Sequence, residues 1–302
     1  MGRNRKTRAR GASEHALAAC VRDNEGRDAV VEVPGSRWMS YGSMIGNIAL
    51  GVTVGLLIWQ FFALLMNAGG ATLGFPYPLE TFERLGEYLF EGRSLYGHSV
   101  FEHVLASIKR LLIAFGLAST IGIGLGMVLG YFGRIYQIGM VPVSVYQMIP
   151  GLAWLPMAIL IFGLGDASAI FIIFAVSSMV ITIGVSSGIR MVPAVIVDAA
   201  RMMGASGAAV FFKVLVPQAA PSIINALRLG MSSAWRVLIA AEMVVGTGLG
   251  IGYSIELTRD LLDYVGAFAC ITVICLVGLF VDRVVLASLE RWMRHRLGIE
   301  GA

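Results

Sequence analysis

The sequence predicts an all-α, polytopic membrane protein with about six transmembrane helices, and three observations carry that prediction. Charged residues make up only 14% of the 302-residue chain and hydrophobic residues 57%, whereas soluble domains carry about 25% charged residues. Apolar runs long enough to cross about 30 Å of hydrocarbon recur along the chain. Between two of them, residues 190–217 form a polar stretch with the spacing of a helical hairpin.

In chain order, residues 1–42 are polar, Arg-rich and poorly periodic, which predicts a largely disordered cytoplasmic extension with a short helix around 14–21. It lacks the apolar core and cleavage site of a signal peptide. A membrane domain follows over 43–290, with spans expected near 43–66, 106–130, 138–164, 168–187, 219–245 and 265–288, and residues 291–302 form a cytoplasmic tail. Between the first two spans, Phe75-Pro76-Tyr77-Pro78 leads into a helical pattern over 79–90 that is expected to lie along the outer face. By its residues that element reads as an interfacial helix that anchors the first span. In the second span, Gly122, Gly124, Gly126 and Gly130 permit near backbone contact with a neighbouring helix. In the third, Pro142, Pro150 and Pro156 remove backbone donors, so that helix is expected to be kinked or broken around 148–154.

Basic residues set the expected orientation. Arg3, Arg5, Lys6, Arg8 and Arg10 precede the first span, and Arg291, Arg294 and Arg296 follow the last, which places both termini in the cytoplasm. Arg190, Arg201 and Lys213 then fall inside as well, and Asp166 and the 248–264 loop, with Glu256, Asp260 and Asp263, outside. Lys109 and Arg110 disagree. They read either as a snorkelling interfacial pair or, for Arg110, as a residue facing the bundle interior. The net charge of +4 comes mostly from such flanking positions, so it speaks for anionic lipid headgroups and topology rather than nucleic acid.

The hairpin has its own internal logic. Pro193 suits a first helical position, Asp198, Ala199 and Ala200 follow, Gly204 permits a tight turn, Ser206 can cap a second helix and Pro217 is expected to close it. At these residues the chain resembles the membrane subunits of binding-protein-dependent ABC importers. Their cytoplasmic loop reads Glu-Ala-Ala, three residues, Gly, nine residues, Ile, one residue, Leu-Pro. Here Asp198 stands for Glu, Val214 for Ile and Val216 for Leu, each keeping charge sign or apolar character. In that family the loop contacts the ATPase, so the resemblance implies a coupling role for Asp198, Ala199, Ala200, Gly204 and Pro217.

The fifth span narrows the likeness. Arg228-Leu229, Ala234-Trp235 and Ala241-Glu242, together with Ala153-Trp154-Leu155-Pro156, Phe162-Gly163, Asp282-Arg283 and Leu289-Glu290-Arg291, are similar to permeases for nitrate, sulfonates and taurine. The resemblance covers nearly everything after residue 45. It implies a homodimer of permeases, two ATPase subunits and an extracytoplasmic substrate-binding protein, assembled in the plasma membrane of a prokaryote and moving a small anionic solute by alternating access. ATP and magnesium would be bound by the ATPase and no cofactor by this chain. An ATP-independent channel or scaffold, an exporter, or a permease of the same family for another solute are the alternatives, and copurification of an ATPase separates the first from the rest.

Read physically, Arg228, Ser232, Trp235 and Glu242 fall within roughly an 80° sector of one helix, with Arg236 on an adjacent side. Ionised groups in hydrocarbon cost several kcal/mol, so Arg236 and Glu242 are expected to face a cavity, a neighbouring helix or a dimer mate. A structural ion pair is the alternative. For an anion, Arg236 is the better pathway candidate because a guanidinium donates two parallel hydrogen bonds. Trp235 either gates the path or packs an interface, and Arg228, nearer the cytoplasmic end, meets lipid phosphate, the loop or solute.

Other chemistries find little support. No Gly-x-x-x-x-Gly-Lys-Ser/Thr run occurs, and Lys6, Lys109 and Lys213 are the only lysines. The Gly248-Leu249-Gly250-Ile251-Gly252-Tyr253 stretch follows a membrane helix and reads as a flexible turn or broken helix. His98 and His103 flank Glu102 without the spacing of a metal site. Cys20, Cys270 and Cys275 have no evident disulfide partners.

Overall fold

The computed structural model describes residues 20–22, 28–30, 41–69, 74–286 and 288. The chain divides into two units, Met1–Trp59 and Gln60–Ala302, with the boundary inside the first long helix. In the first unit a short antiparallel ladder pairs β1 (Cys20–Arg22) with β2 (Asp28–Val30), Cys20 opposite Val30. Cys20 and Val21 are therefore extended where the sequence predicted the end of a helix, and 14–19 lie outside the described residues. The tail at 291–302 also lies outside the described residues.

The rest is helical. Helix α1 (Tyr41–Ala68) crosses from the first unit into the second. Helices α2 (Pro78–Phe90), α3 (Val100–Tyr131), α4 (Gly133–Met148), α5 (Leu155–Phe162) and α6 (Asp166–Arg190) follow. After them come α7 (Ala194–Met202), the short α8 (Gly207–Val210), α9 (Val216–Val245), α10 (Ile251–Asp260) and α11 (Tyr264–Phe280). Among the described residues, five helical stretches are long and apolar enough to cross a membrane, and α4 with α5 forms a sixth only as a pair bent by 96°. The expected third span is thus a broken one. The break falls at Ile149 and Pro150, where Pro150 opens a 3-10 turn over Gly151–Trp154 and Pro156 starts α5.

Helix α6 is the centre of the second unit. Its Ser177 and Thr182 hydroxyls donate 2.7 Å hydrogen bonds to the carbonyls of Ile173 and Ser178, which satisfies polar groups inside a buried helix. On one side α3 lays Gly122, Gly126 and Gly130 against it. A Cβ on Gly126 would stand 2.7 Å from Val185 Cβ, and one on Gly130 2.8 Å from Ile189 Cβ. On the other side α9 meets Gly184 with Ala226 and Gly188 with Ser222. Small residues let the backbones approach, and van der Waals packing then holds helices that gain no hydrophobic free energy from each other in lipid. Gly124, on the opposite face of α3, has nothing near it, so only the period-four glycines serve this contact.

Helices α2 and α10 close the end of the second unit away from the α6–α7 connection. Leu85, Tyr88, Leu95, Val100, Ile251, Cys270 and Val273 form its core there, and Arg84 on α2 bridges 3.0 Å to Asp263 ahead of α11.

Candidate functional site

The hairpin is shaped by its backbone. Pro193, in an extended conformation, caps α7 one position earlier than its expected first helical place. The helix ends in a complete Schellman turn: Ala205 N–H donates to the Ala200 carbonyl at 3.1 Å and Gly204 N–H to that of Arg201 at 2.9 Å. This closure requires a left-handed residue, and Gly204 has φ +84°. The spacing of Ala200 and Gly204 follows, since a carbonyl at the third position before the cap must meet the donor just after the glycine. Ala200 is also buried, against Val210, Leu215, Tyr131, Val192 and Val197, so a small side chain there lets the two arms meet. Ser206 Oγ accepts from Ala209 N–H at 3.4 Å and starts the second arm.

Pro217 does not close that arm, contrary to expectation. The helix runs on from Gly207 to Val245, because a wider π turn over Phe211–Leu215 precedes the proline, with Val216 N–H reaching the Phe211 carbonyl. The π turn relaxes the ladder just where Pro217 supplies no donor. The hairpin is consequently joined to α6 through the three residues Met191, Val192 and Pro193, and to α9 without a break.

Outward from this frame the hairpin presents Met191, Val195, Met202, Met203 and Phe212, each more than two-thirds exposed. Asp198 is exposed beside them and pairs with Arg201 at 3.6 Å. Ala199 is half-buried. Apolar patches of flexible Met side chains of this kind are over-represented at partner contacts.

At the other end of α9 lies a buried charge cluster. Glu242, fully buried, accepts from Arg110 Nη1 at 2.6 Å, from Ser107 Oγ at 2.8 Å and from Gly252 N–H at 3.0 Å. Arg110 also donates through Nε to Asp166 at 2.8 Å, and Ser107 Oγ accepts from Ile251 N–H. His103, one turn before Ser107, has Nε2 3.1 Å from the Leu95 carbonyl and Nδ1 within 3.1 Å of the Gly250 N–H, the Gly250 carbonyl and the Ser254 hydroxyl. Glu242 thereby joins α3, α9 and α10, and Arg110 extends the cluster to α6 through Asp166. Arg110 faces the bundle interior, the second of the two places the sequence allowed. The glycine stretch makes room: a Cβ on Gly250 would stand 2.7 Å from Glu242 Cδ and 2.8 Å from Arg110 Nη1. Ser107 and Asp166 were not among the sequence candidates. The signal was present, because His103, Ser107 and Arg110 recur at helical spacing on one face of that span.

Arg228, Trp235 and Arg236 go elsewhere. Trp235 and Arg236 line a cleft of about 430 Å³ between α9 and α11, with Ser232, Cys275, Gly278 and Asp282. Arg228 Nη2 meets Asp282 Oδ1 at 3.5 Å. Arg236 is exposed and donates to Ser233 Oγ at 3.4 Å. The four candidate residues of the stripe therefore separate, with Glu242 locked into the charge cluster and the other three gathered at or beside the cleft. Among the described residues, no group of three or more His, Cys, Asp or Glu is placed to hold a metal.

Comparison with known proteins agrees with this arrangement. Residues 120–295 match the family model described as binding-protein-dependent transport system inner membrane component. The bicarbonate transport system permease protein of Synechococcus elongatus is 32% identical over 254 residues, covering 80% of this chain and 87% of that protein. The taurine transport system permease protein of Escherichia coli is 30% identical over 251 residues, covering 82% and 86%. An inward-facing structure of the MetNI methionine ABC transporter superimposes with a TM-score of 0.57 at 18% identity, covering 64% of this chain and 95% of that one, which shows a shared fold. The chain belongs to the binding-protein-dependent inner membrane components, the permease subunits of type I ABC importers.

Proposed function

We propose that this chain forms, with a second copy of itself, the membrane pathway of an importer for a small anionic solute in the inner membrane of a prokaryote, with both termini in the cytoplasm. Two ATPase subunits dock on the exposed face of residues 198–217, and they, not this chain, hold ATP and magnesium. A separate binding protein delivers solute at the end formed by α2 and α10. The observation that carries this reading is the continuity of the hairpin with α9. A displacement of the Schellman-closed turn by closing ATPases is carried along one unbroken helix to Trp235 and Arg236 and on to Glu242. The π turn at Phe211–Leu215 supplies a compliant joint below it.

Arg236 is the residue assigned to the anion. It shares an exposed face of α9 with Asn225 and Leu229, and an arginine at that depth is tolerated where it faces water or a partner chain. Solutes of the taurine, bicarbonate or nitrate type fit this charge. The test is affinity purification of the tagged chain in mild detergent, with the stoichiometry of what accompanies it. An ATPase at one copy per permease chain supports the reading; a permease that is intact and repeatedly free of any ATPase overturns it in favour of a channel or scaffold.

A further inference from the structure

Three levels of charge mark α9. Glu242 is paired with Arg110 at one end, and Arg228 with Asp282 towards the other. Between them, about 9 Å from Glu242 and about 12 Å from Arg228 at 1.5 Å per residue, Arg236 has no carboxylate within ion-pair distance among the described residues. It opens instead into the cleft of about 430 Å³ that Asp282 also lines, a size within the usual range for small-molecule sites.

Both charges border the same cleft. Side chains on a helix tilt to its N-terminus, so Arg236 on α9 points towards the Arg228 level, as its bond to Ser233 records. Asp282 follows α11 within a π turn over Val281–Leu286, where its carboxylate meets Arg228. Its neighbours hold it loosely, Arg228 at 3.5 Å and Arg283 at 3.9 Å with the side chain 38% exposed, and a carboxylate has about four acceptor sites. Trp235 lies between them. A Cβ on Gly278 would stand 2.7 Å from its Nε1, so the glycine lets the indole rest against α11 and form part of the cleft.

We propose that this cleft is a subsite for a small zwitterion, Arg236 taking the sulfonate or carboxylate and Asp282 the ammonium. Ser232 adds a hydroxyl near the anionic end, and the indole of Trp235 offers a face to the cation. A simple inorganic anion uses half of this arrangement and gains nothing from Asp282. The inference rests on Arg236 being a pathway residue.

Cys275 lines the same cleft and is exposed, whereas Cys270 is buried, which provides a readout. The full chain carrying Cys20→Ser, in lipid nanodiscs, is treated with a cationic methanethiosulfonate, and the rate of Cys275 modification is followed with taurine, ethanesulfonate or nitrate present. Taurine is expected to protect at about tenfold lower concentration than ethanesulfonate, the effect of about one charge-assisted hydrogen bond. Asp282→Asn removes that advantage while ethanesulfonate protection stays; Arg236→Gln loses both. Arg228→Gln, which frees Asp282 of a competing cation, keeps or enlarges the advantage. Equal protection by the two sulfonates, no protection, an unreactive Cys275, or loss of the advantage in Arg228→Gln as in Asp282→Asn each overturns the proposal. ATP-driven uptake of taurine and nitrate by cells carrying Arg236→Gln separates the two levels. Impaired uptake without a zwitterion preference at Cys275 removes only this inference, and unimpaired uptake removes the pathway reading as well.

Discussion

The two ends of α9 are held by opposite means. At the hairpin end the geometry comes from the backbone, through a left-handed glycine, two cap hydrogen bonds and a small buried alanine, while the side chains are exposed. At the far end it comes from charged side chains, with Arg110 and Glu242 almost fully out of solvent. The first kind of end offers its side chains to a partner without losing its own shape. The second kind concentrates the free energy of four helices on one buried ion pair, because a buried charge that loses its partner is penalised far more than an exposed one.

Substitutions that separate these two modes should differ in what they disturb. Glu242→Leu leaves Arg110 with only the exposed Asp166 and strands the donors of Ser107 and Gly252. It is expected to lower stability by about 3–5 kcal/mol, read as a large drop in thermal unfolding temperature in detergent and poor recovery of folded protein. Recovery of wild-type stability would show that the cluster is not an anchor. Gly126→Val pushes a branched side chain into Val185 Cβ and the Thr182 carbonyl and should cost about 1–3 kcal/mol, whereas Gly124→Val, on the open face of the same helix, should shift the melting temperature little. Gly204→Asp imposes about 1–2 kcal/mol of left-handed strain. It is expected to leave membrane insertion intact and abolish ATPase copurification and uptake; normal uptake would sink the docking role of the hairpin. Ser206→Ala removes one cap, about 0.5–1 kcal/mol, and should weaken ATPase binding measurably without abolishing it.

Particular elements show how far the sequence could be read. Helix-breaking prolines located the bend at Ile149 and Pro150, because a missing donor acts locally. The spacing of Ala200 and Gly204 located the turn for the same reason. Pro217 misled, because a proline ends a helix only when the preceding turn cannot widen, and the π turn at Phe211–Leu215 widens it. The stripe of Arg228, Ser232, Trp235 and Glu242 was correctly placed on one sector of one helix. Its members nonetheless meet different neighbours, since residues sharing an azimuth lie at different depths and each depth has its own facing helix.

The sequence by itself therefore determined the membrane spans, the broken third one, the hairpin and the side of α9 that carries polar groups, all consequences of local backbone chemistry or of a period along a single helix. Only the tertiary structure decided that Glu242 belongs to Arg110 and Ser107, more than a hundred positions away, and that Arg236 shares a cleft with Asp282. Such pairings depend on which helices pack side by side and at what height. Glycine contacts such as Gly126 against Val185 set that height, and nothing in the composition of either helix alone contains it.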